Sequence, residues 1–420
     1  MYGPNVMKLS SAGIAFALVA CGGNSSDHTV DASPDAPAEP AGVDVPLGSL
    51  EAFSYTLPLA IDGTTFTEIV DTGSTSTGVA ATGCSGCGVT PLYMPGSAAV
   101  DTRMTASTQY ADGSGWSGEI YKDSVTITGT PAVDLSFVAV TDQSQFFDGN
   151  SYQGIMGFGP SELLEPGTTS YMDLATAAGM NPMVAFRLCP DRGDMWLGGF
   201  DPTAAASAVQ FTPMLPIDDQ NNPFYSVQIA DMAFSGTSLG LTTASFGPTL
   251  VDTGTSISMV PTTVEDSMLN AVNTSTAFKS MFPGATLADT DQGDCVTNAS
   301  VTSAMVDAML PPFTISFPTA GGGTFKVDIA PTRSYLTPSG GGQFCWAFTS
   351  GGTAADGSLI GDTLLAGMLA VFDIKNMQMG FAPEAGCVEA DVARIHPAYP
   401  RPSASPFFRG PPARRTHAVR

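Results

Sequence analysis

Two near-identical pentapeptides, far apart in the chain, constrain its fold more than any other feature. They are DTGST at Asp71–Thr75 and DTGTS at Asp252–Ser256, about 180 residues apart. Each follows a run of strand-forming residues, FTEIV before the first and PTLV before the second. A single Asp-Thr-Gly is typical of an ordinary turn after a strand. Two matched copies predict a chain of two related halves, each of which contributes one carboxylate.

The remaining sequence favours β-structure. Glycine (46 residues) and proline (32 residues) are abundant and punctuate short stretches in which apolar and polar residues alternate. Examples of these stretches are Tyr55–Ile61, Ser124–Thr128, Phe313–Phe317 and Val371–Ile374. The best helical patterns are Thr263–Val272 and Ser303–Leu310. The sequence therefore predicts an all-β protein.

The positions of histidine limit the chemistry available to the folded part. The three histidines are His28, His396 and His417, so none lies between residues 29 and 395. This excludes a Ser-His-Asp triad, a Cys-His pair and a histidine-based zinc site from that part. The sequence also has no phosphate-binding GxxxxGK[ST] loop and no GxGxxG fingerprint after a strand. We expect no cofactor and no metal, and carboxylates remain as the acid and base groups.

The charge of the chain limits its partners. The net charge is −24, although only 13% of the residues are charged. So acidic a surface repels nucleic acid and anionic membranes. We therefore expect no nucleic-acid partner and a monomeric protein.

The N-terminus has the features of an export signal. Lys8 precedes the apolar run Ile14–Ala20, which is too short to span a bilayer. The run ends in LVAC, which resembles the lipobox of bacterial lipoproteins; the alternative is a plain secretion signal. The resemblance implies cleavage of residues 1–20 and lipidation of Cys21. We expect a lipid-anchored protein of a bacterial cell envelope or surface, or a secreted one, that contacts membrane only through this anchor.

Two segments outside the folded part have the composition of disordered chain. Residues 21–49 are rich in Ser, Asp, Pro and Ala and predict a disordered tether. Residues 388–420 are rich in Pro, Ala and Ser, carry six of the fifteen Lys and Arg residues, and predict a disordered tail.

Six cysteines remain when Cys21 is set aside. They are Cys84, Cys87, Cys189, Cys295, Cys345 and Cys387. An even number in an exported chain indicates three disulfides, but six cysteines allow fifteen pairings. Cys84-x-x-Cys87 lacks a second CxxC or a nearby histidine to complete a metal site, so we interpret it as a local loop closure.

From Tyr55 to Cys387 the chain resembles the pepsin-like aspartic proteases. FTEIVDTGSTS and TLVDTGTSISMV are similar to the two active-site loops of that family, and QYADGSGWSGEIYKDSV to its flap hairpin. The segments similar to its loop-supporting strands and closing strands are GIMGFG at 154–159, LIGD at 359–362 and FDIKNMQMGFAP at 372–383. The resemblance implies a bilobal pepsin-like fold with two β-barrel-like lobes around a central cleft. The expected lobes are residues 50–215 and 216–387.

The resemblance also implies the catalytic groups. Asp71 and Asp252 would flank the lytic water and share one proton, because two such close carboxylates cannot ionise independently. Ser74 and Thr255 would donate hydrogen bonds to the outer oxygens of these carboxylates.

Further roles follow from the same resemblance. Thr72 and Thr253 would bond across the lobes to the backbone of the opposite loop. Gly73 and Gly254 would leave room for the substrate backbone, and Tyr110 would close over the cleft.

The chain departs from the family pattern at Gly78. Pepsins have a tryptophan there, seven residues after the first aspartate, as partner of the flap tyrosine. We therefore expect the Tyr110 hydroxyl to bond to another group or to water. Trp116 has two interpretations, as a replacement partner or as a packing residue of the hairpin.

The resemblance selects one set of disulfides. The implied pairs are Cys84–Cys87, Cys295–Cys345 and an interlobe bridge Cys189–Cys387.

Two functions from different classes are consistent with these features. The first is an aspartic endopeptidase that acts at acidic pH on peptide or protein substrates. The alternative is a catalytically silent pepsin-fold protein that binds or inhibits. Both Asp-Thr-Gly motifs are intact, which favours the enzyme.

Overall fold

Strands dominate the computed structural model, which describes residues 41–50, 54–110, 112–147, 151–218, 222–288 and 294–387. The first strands are β1 (Val43–Leu50), β2 (Ser54–Ile61), β3 (Thr64–Asp71), β4 (Gly78–Ser85), β5 (Val100–Gln109), β6 (Gly115–Ile127), β7 (Val133–Ser144), β8 (Gly154–Gly157), β9 (Met183–Cys189), β10 (Arg192–Leu197) and β11 (Gln210–Pro213). Those that follow are β12 (Ser226–Val227), β13 (Asp231–Phe234), β14 (Thr237–Ser238), β15 (Thr249–Val251), β16 (Ser258–Val260), β17 (Cys295–Thr297), β18 (Phe313–Pro318), β19 (Thr324–Ile329), β20 (Leu336–Gly340), β21 (Gln343–Trp346), β22 (Phe348–Ser350), β23 (Ser358–Ile360), β24 (Met368–Asp373) and β25 (Gln378–Pro383). The all-β prediction is confirmed.

The helices are short. They are α1 (Tyr171–Ala177), α2 (Thr243–Phe246), α3 (Thr262–Thr274), α4 (Thr276–Met281), α5 (Ser303–Met309) and α6 (Asp362–Leu365), with 3₁₀ turns at Ser161–Leu163, Pro202–Ala204 and Pro331–Arg333. The two predicted helices are α3 and α5. Helix α3 buries Val264, Met268 and Val272, which recur every fourth residue and face the core.

The strands of the described residues form four sheets. A thirteen-stranded sheet has the order β11-β25-β24-β9-β10-β1-β2-β3-β8-β4-β7-β6-β5, and three smaller sheets of five, four and three strands lie in the second half. The last two strands of the chain, β24 and β25, enter the large sheet beside β9 and β11. The large sheet therefore contains strands from both sides of the predicted boundary at residues 215 and 216.

Strand β1 corrects the predicted extent of the tether. Residues 43–49 were expected to be disordered, but β1 pairs with β10 and β2. Val45 and Leu47 are buried and alternate with exposed residues. Pairing with both neighbours and the burial of these two side chains decide the local structure despite the Asp and Pro in the segment. Cys21, the predicted signal at residues 1–20 and the tail 388–420 lie outside the described residues.

A separate apolar cluster lies around the hairpin formed by β5 and β6. Its fully buried members include Trp116, Ile120, Val138, Phe146 and Phe147. Tyr110 packs against this cluster from the hairpin end. The cluster therefore joins the hairpin to β7 in the first half of the chain.

Candidate active site

Each Asp-Thr-Gly turn occupies the same position in its half of the fold. In the first half, β3 ends at Asp71 and runs parallel to β8, which pairs antiparallel with β4. In the second half, β15 ends one residue before Asp252 and runs parallel to β23, which pairs antiparallel with β16. Each half therefore contains the same arrangement: one strand leads into the aspartate loop, a second strand leaves it, and a third strand pairs between the two.

The segments after β8 and β23 hold the two loops through backbone hydrogen bonds. Phe158 N donates to Asp71 O at 2.7 Å, and Asp362 N donates to Thr255 O at 2.8 Å. A Cβ atom on Gly157 would lie 2.4 Å from the backbone of the first loop. Only glycine allows this approach, which explains why GIMGFG and LIGD carry glycine beside apolar residues.

Thr72 and Thr253 connect the two loops reciprocally. Thr72 N donates to Thr253 Oγ1 at 3.2 Å, and Thr253 N donates to Thr72 Oγ1 at 3.1 Å. The two hydroxyls donate in turn to the backbone of the opposite half, to Val251 O and Val70 O, each at 3.0 Å. Both threonines are buried, so these four hydrogen bonds fix the separation of the two loops.

The carboxylates receive matched hydrogen bonds within their own loops. The donors are Ser74 Oγ to Asp71 Oδ2, Gly73 N to Asp71 Oδ1 at 2.7 Å, Thr255 Oγ1 to Asp252 Oδ2 at 2.7 Å, and Gly254 N to Asp252 Oδ1 at 2.8 Å. Each carboxylate therefore has one hydroxyl donor and one backbone donor, which orient it toward the other half.

The glycines of the two turns face the opposite carboxylate. A Cβ atom on Gly73 would lie 2.6 Å from the carboxyl carbon of Asp252, and one on Gly254 would lie 2.3 Å from Asp71 Oδ1. Room for the substrate backbone was the expected role of both glycines. That role stays a prediction, and in the structure the two glycines also let the two carboxyl groups approach each other.

Burial and charge both act on the first aspartate. Burial raises the pKa of Asp71 well above its usual range, and the neighbouring Asp252 raises it further, while hydrogen bonds from Ser74 and Gly73 oppose the shift. The pair therefore retains a proton at a pH where an exposed aspartate has lost it.

Asp362 is a third buried carboxyl close to this pair. Neither of its carboxyl oxygens has a hydrogen-bond partner among the described residues. Burial raises its pKa well above the usual range, with further contributions from Asp252 and Asp71. The sequence analysis singled out LIGD only as a support for the loop and missed this carboxyl.

The hairpin of β5 and β6 carries Tyr110 at its turn. Tyr110 N donates to Ser114 O at 2.8 Å, and β5 begins at Val100, so the hairpin begins nine residues before the flap-like segment at 109–125. Burial raises the pKa of the Tyr110 hydroxyl, and the charge of Asp71 raises it further. The tyrosine therefore lies within electrostatic reach of the first carboxylate.

Trp116 is the partner of the tyrosine. Its Nε1 donates to the Tyr110 hydroxyl at 3.0 Å. A Cβ atom on Gly78 would lie 3.1 Å from Cε2 of this indole, so the indole fills the space beside the glycine. Tyr110 also stacks on Phe146, with ring centroids 5.5 Å apart. Of the two interpretations of Trp116, the structure favours the replacement partner.

Three disulfides are present, and their pairing is the expected one. They are Cys84–Cys87, Cys189–Cys387 and Cys295–Cys345. Cys189 ends β9 and Cys387 follows β25, so this bridge joins two parts of the chain 198 residues apart.

The described residues form neither a metal-binding cluster nor a membrane-spanning helix. Those residues contain no group of three or more His, Cys, Asp or Glu side chains that could hold a metal ion. No helix among them is long and apolar enough to cross a membrane.

Two glutamates escaped the sequence analysis. Glu68 is fully buried in β3, and neither of its carboxyl oxygens has a hydrogen-bond partner among the described residues. The alternation Phe66-Glu68-Val70 was a signal, because it places Glu68 on the buried face. Glu165 lies half-buried beside the hairpin, and no sequence pattern pointed to it.

Comparison with known proteins agrees with this geometry. The family model for eukaryotic aspartyl proteases matches residues 54–384. An aspartic protease from Phaffia rhodozyma is 29% identical over 336 residues, which cover 78% of this chain and 76% of the relative. Penicillopepsin-1 from Penicillium janthinellum is 27% identical over 346 residues, with 79% and 95% covered. The chain therefore belongs to the eukaryotic aspartyl protease family.

Proposed function

We propose that this protein is an aspartic endopeptidase that hydrolyses peptide bonds at acidic pH through a water molecule activated between Asp71 and Asp252. The observation that carries the proposal is the set of four hydrogen bonds that Thr72 and Thr253 make across the two halves. These bonds bring the carboxylate of each half against the glycine of the other half. Family membership supports peptide hydrolysis as the reaction.

The chemistry needs one proton shared by the pair. The ionised carboxylate takes a proton from water, the water oxygen attacks the peptide carbonyl carbon, and the protonated carboxyl donates to the carbonyl oxygen. In the second step the C–N bond breaks as the amide nitrogen accepts a proton from one carboxyl. The other carboxylate takes a hydroxyl proton from the diol, so the pair again holds one proton and no covalent enzyme intermediate forms.

The pKa shift of Asp71 supports activity in acid. Because burial and the charge of Asp252 favour the protonated form, the single shared proton is held in acid. It is lost as the pH rises above the upper pKa of the pair. We therefore expect activity to fall as the pH rises through that upper pKa.

Tyr110 is proposed to cover the cleft. Its ring is held by Phe146 and its hydroxyl by Trp116, so it has a fixed place on the hairpin that would lie over an extended peptide. Covering the site excludes water that would compete with the protein for the reacting groups.

The test is cleavage of an unfolded protein at about pH 4, with and without a statine-type inhibitor. We expect internal cleavage, seen as fragments from the middle of the substrate, that the inhibitor abolishes. The catalytically silent alternative predicts that the inhibitor binds but that no fragment appears.

We also propose that the protein is exported and lipid-anchored at a bacterial envelope. The LVAC sequence ending at Cys21 supports the anchor, and three disulfides support an oxidising compartment.

A further inference from the structure

The turn Glu165-Pro166-Gly167-Thr168 lies beside the flap hairpin. Thr168 N donates to Glu165 O at 3.0 Å, which closes a four-residue turn. Proline at the second position and a glycine with φ of +96° at the third are the residues that a type II turn requires. The sequence therefore fixes Glu165 at the first position of a rigid turn.

This turn is attached to the first active-site loop. Glu165 N donates to Ser76 Oγ at 2.8 Å, and the hydroxyls of Ser76 and Thr168 bond to each other, also at 2.8 Å. Ser76 is buried and lies five residues after Asp71. The backbone of Glu165 is thus held at a fixed position relative to the dyad.

The same turn packs against the strands of the hairpin. A Cβ atom on Gly167 would lie 2.7 Å from Met104 Cε and 2.9 Å from Ile120 Cδ1. Since Met104 belongs to β5 and Ile120 to β6, the turn fills the space between the hairpin and the active-site loop.

The Glu165 carboxyl faces the hairpin without a cationic partner. The Thr108 side chain, two residues before Tyr110, donates a hydrogen bond to the Glu165 carboxyl, and the charge of Glu165 contributes to the raised pKa of the Tyr110 hydroxyl. The ion pairs among the described residues do not include Glu165. Burial raises its pKa, which means that a cation beside it would replace lost hydration.

We propose that Glu165 is a specificity-determining residue, which selects substrates that carry lysine or arginine close to the cleaved bond. The inference rests on the proposed peptidase function. A peptide that lies under Tyr110 passes Thr108 and Glu165, and a positive side chain at the matching position would find a fixed, half-desolvated carboxylate. A neutral side chain of the same length would leave that carboxylate without a cationic partner, so the two peptides are discriminated.

The experiment measures peptide binding to the full chain in an Asp252→Asn background at a series of pH values from about 4 to 8, because the raised pKa of Glu165 means that it ionises at a higher pH than an exposed glutamate. Peptides come in pairs that differ only by lysine or norleucine, and the pair is moved through each position around the scissile bond. We expect the lysine peptide to bind about tenfold more tightly at one position. Glu165→Gln, which keeps the shape of the side chain, should abolish this difference. Glu162→Gln, three residues earlier and exposed, is the matched control and should keep the difference.

Two results would overturn the inference: a lysine-to-norleucine affinity ratio near one at every position, or a ratio that Glu165→Gln leaves intact. A parallel assay of kcat/KM with the unsubstituted dyad separates this inference from the function. Absence of cleavage for every peptide would overturn the proposed peptidase, while the binding ratio would still decide the role of Glu165. Glu165→Lys provides the reversed charge, and it should favour a glutamate peptide over its glutamine counterpart at the same position.

Discussion

Replacing Glu68 by glutamine should change how the stability of this protein depends on pH. Glu68 is fully buried, and burial alone raises its pKa well above the usual value of 4.5. Its Oε2 lies against Gly154 of β8, where a Cβ atom would be 2.2 Å away. The folded chain therefore holds a proton on Glu68 at a pH at which the unfolded chain has released it.

The sign and size of the effect follow from this difference. Below about pH 4.5 the side chain is protonated in both states and contributes no pH dependence. Above it, unfolding releases a proton, so the free energy of unfolding falls by about 1.4 kcal/mol per pH unit until the folded-state pKa is reached. Glu68→Gln cannot release that proton. The stability of the variant relative to the unsubstituted protein should therefore be constant in stronger acid and rise by about 1.4 kcal/mol per pH unit above this threshold.

The assay is guanidinium unfolding at a series of pH values between about 3 and 7. Both proteins carry Asp252→Asn, which prevents self-digestion, and Glu162→Gln is the exposed control. The buried Asp362 is present in every variant, so its own contribution cancels. Parallel stability curves for Glu68→Gln and its parent would refute the assignment of a retained proton to Glu68.

Three further changes test other parts of the structure. Trp116→Phe keeps an aromatic ring but removes the donor to Tyr110. It should lower kcat/KM for peptides about 3- to 10-fold, because one hydrogen bond contributes about 0.5–1.5 kcal/mol. Unchanged kinetics would show that Trp116 does not position the flap. Replacing Cys189 and Cys387 together by alanine should lower the free energy of unfolding by on the order of 5 kcal/mol in the chain-entropy model, because the bridge joins residues 198 positions apart. A loss below about 1 kcal/mol in denaturant titration would show that the bridge does not restrict the unfolded chain in this way. Cys21→Ser should move the protein from the membrane to the soluble fraction at unchanged kcat/KM, whereas unchanged fractionation would argue against lipidation.

The sequence predicted those parts of the fold that repeat or alternate. The duplicated Asp-Thr-Gly turns fix one position in each half, and their strands, threonines and supporting glycines follow from the family resemblance. Helices α3 and α5 were predicted because their apolar residues have the helical period. Helix α1 was not predicted; it is only seven residues long, and the packing of its buried residues stabilises it.

The parts that could not be predicted depend on contacts between distant residues. β1 is a strand because other parts of the fold bury Val45 and Leu47. The sequence of this segment, which contains Pro and Asp, does not show that these residues will be buried. Trp116 is the partner of Tyr110 because its indole fits into the space beside Gly78. The packing that creates this space is not visible in the sequence. Asp362 looks like an ordinary carboxylate in the sequence, and its raised pKa comes from burial and from the neighbouring Asp252 and Asp71, which only the folded chain brings close.

The most direct test of the proposed mechanism is kcat/KM for an unfolded or peptide substrate in Asp71→Asn and Asp252→Asn, compared with the unsubstituted protein. Asp266→Asn makes the same chemical change at an exposed position of α3 and serves as control. Circular dichroism establishes that all four proteins are folded. We predict that each dyad variant loses at least about 100-fold in kcat/KM, because each removes one half of the acid and base pair, while Asp266→Asn retains full activity. Activity near that of the unsubstituted protein in either dyad variant would contradict catalysis by the two carboxylates.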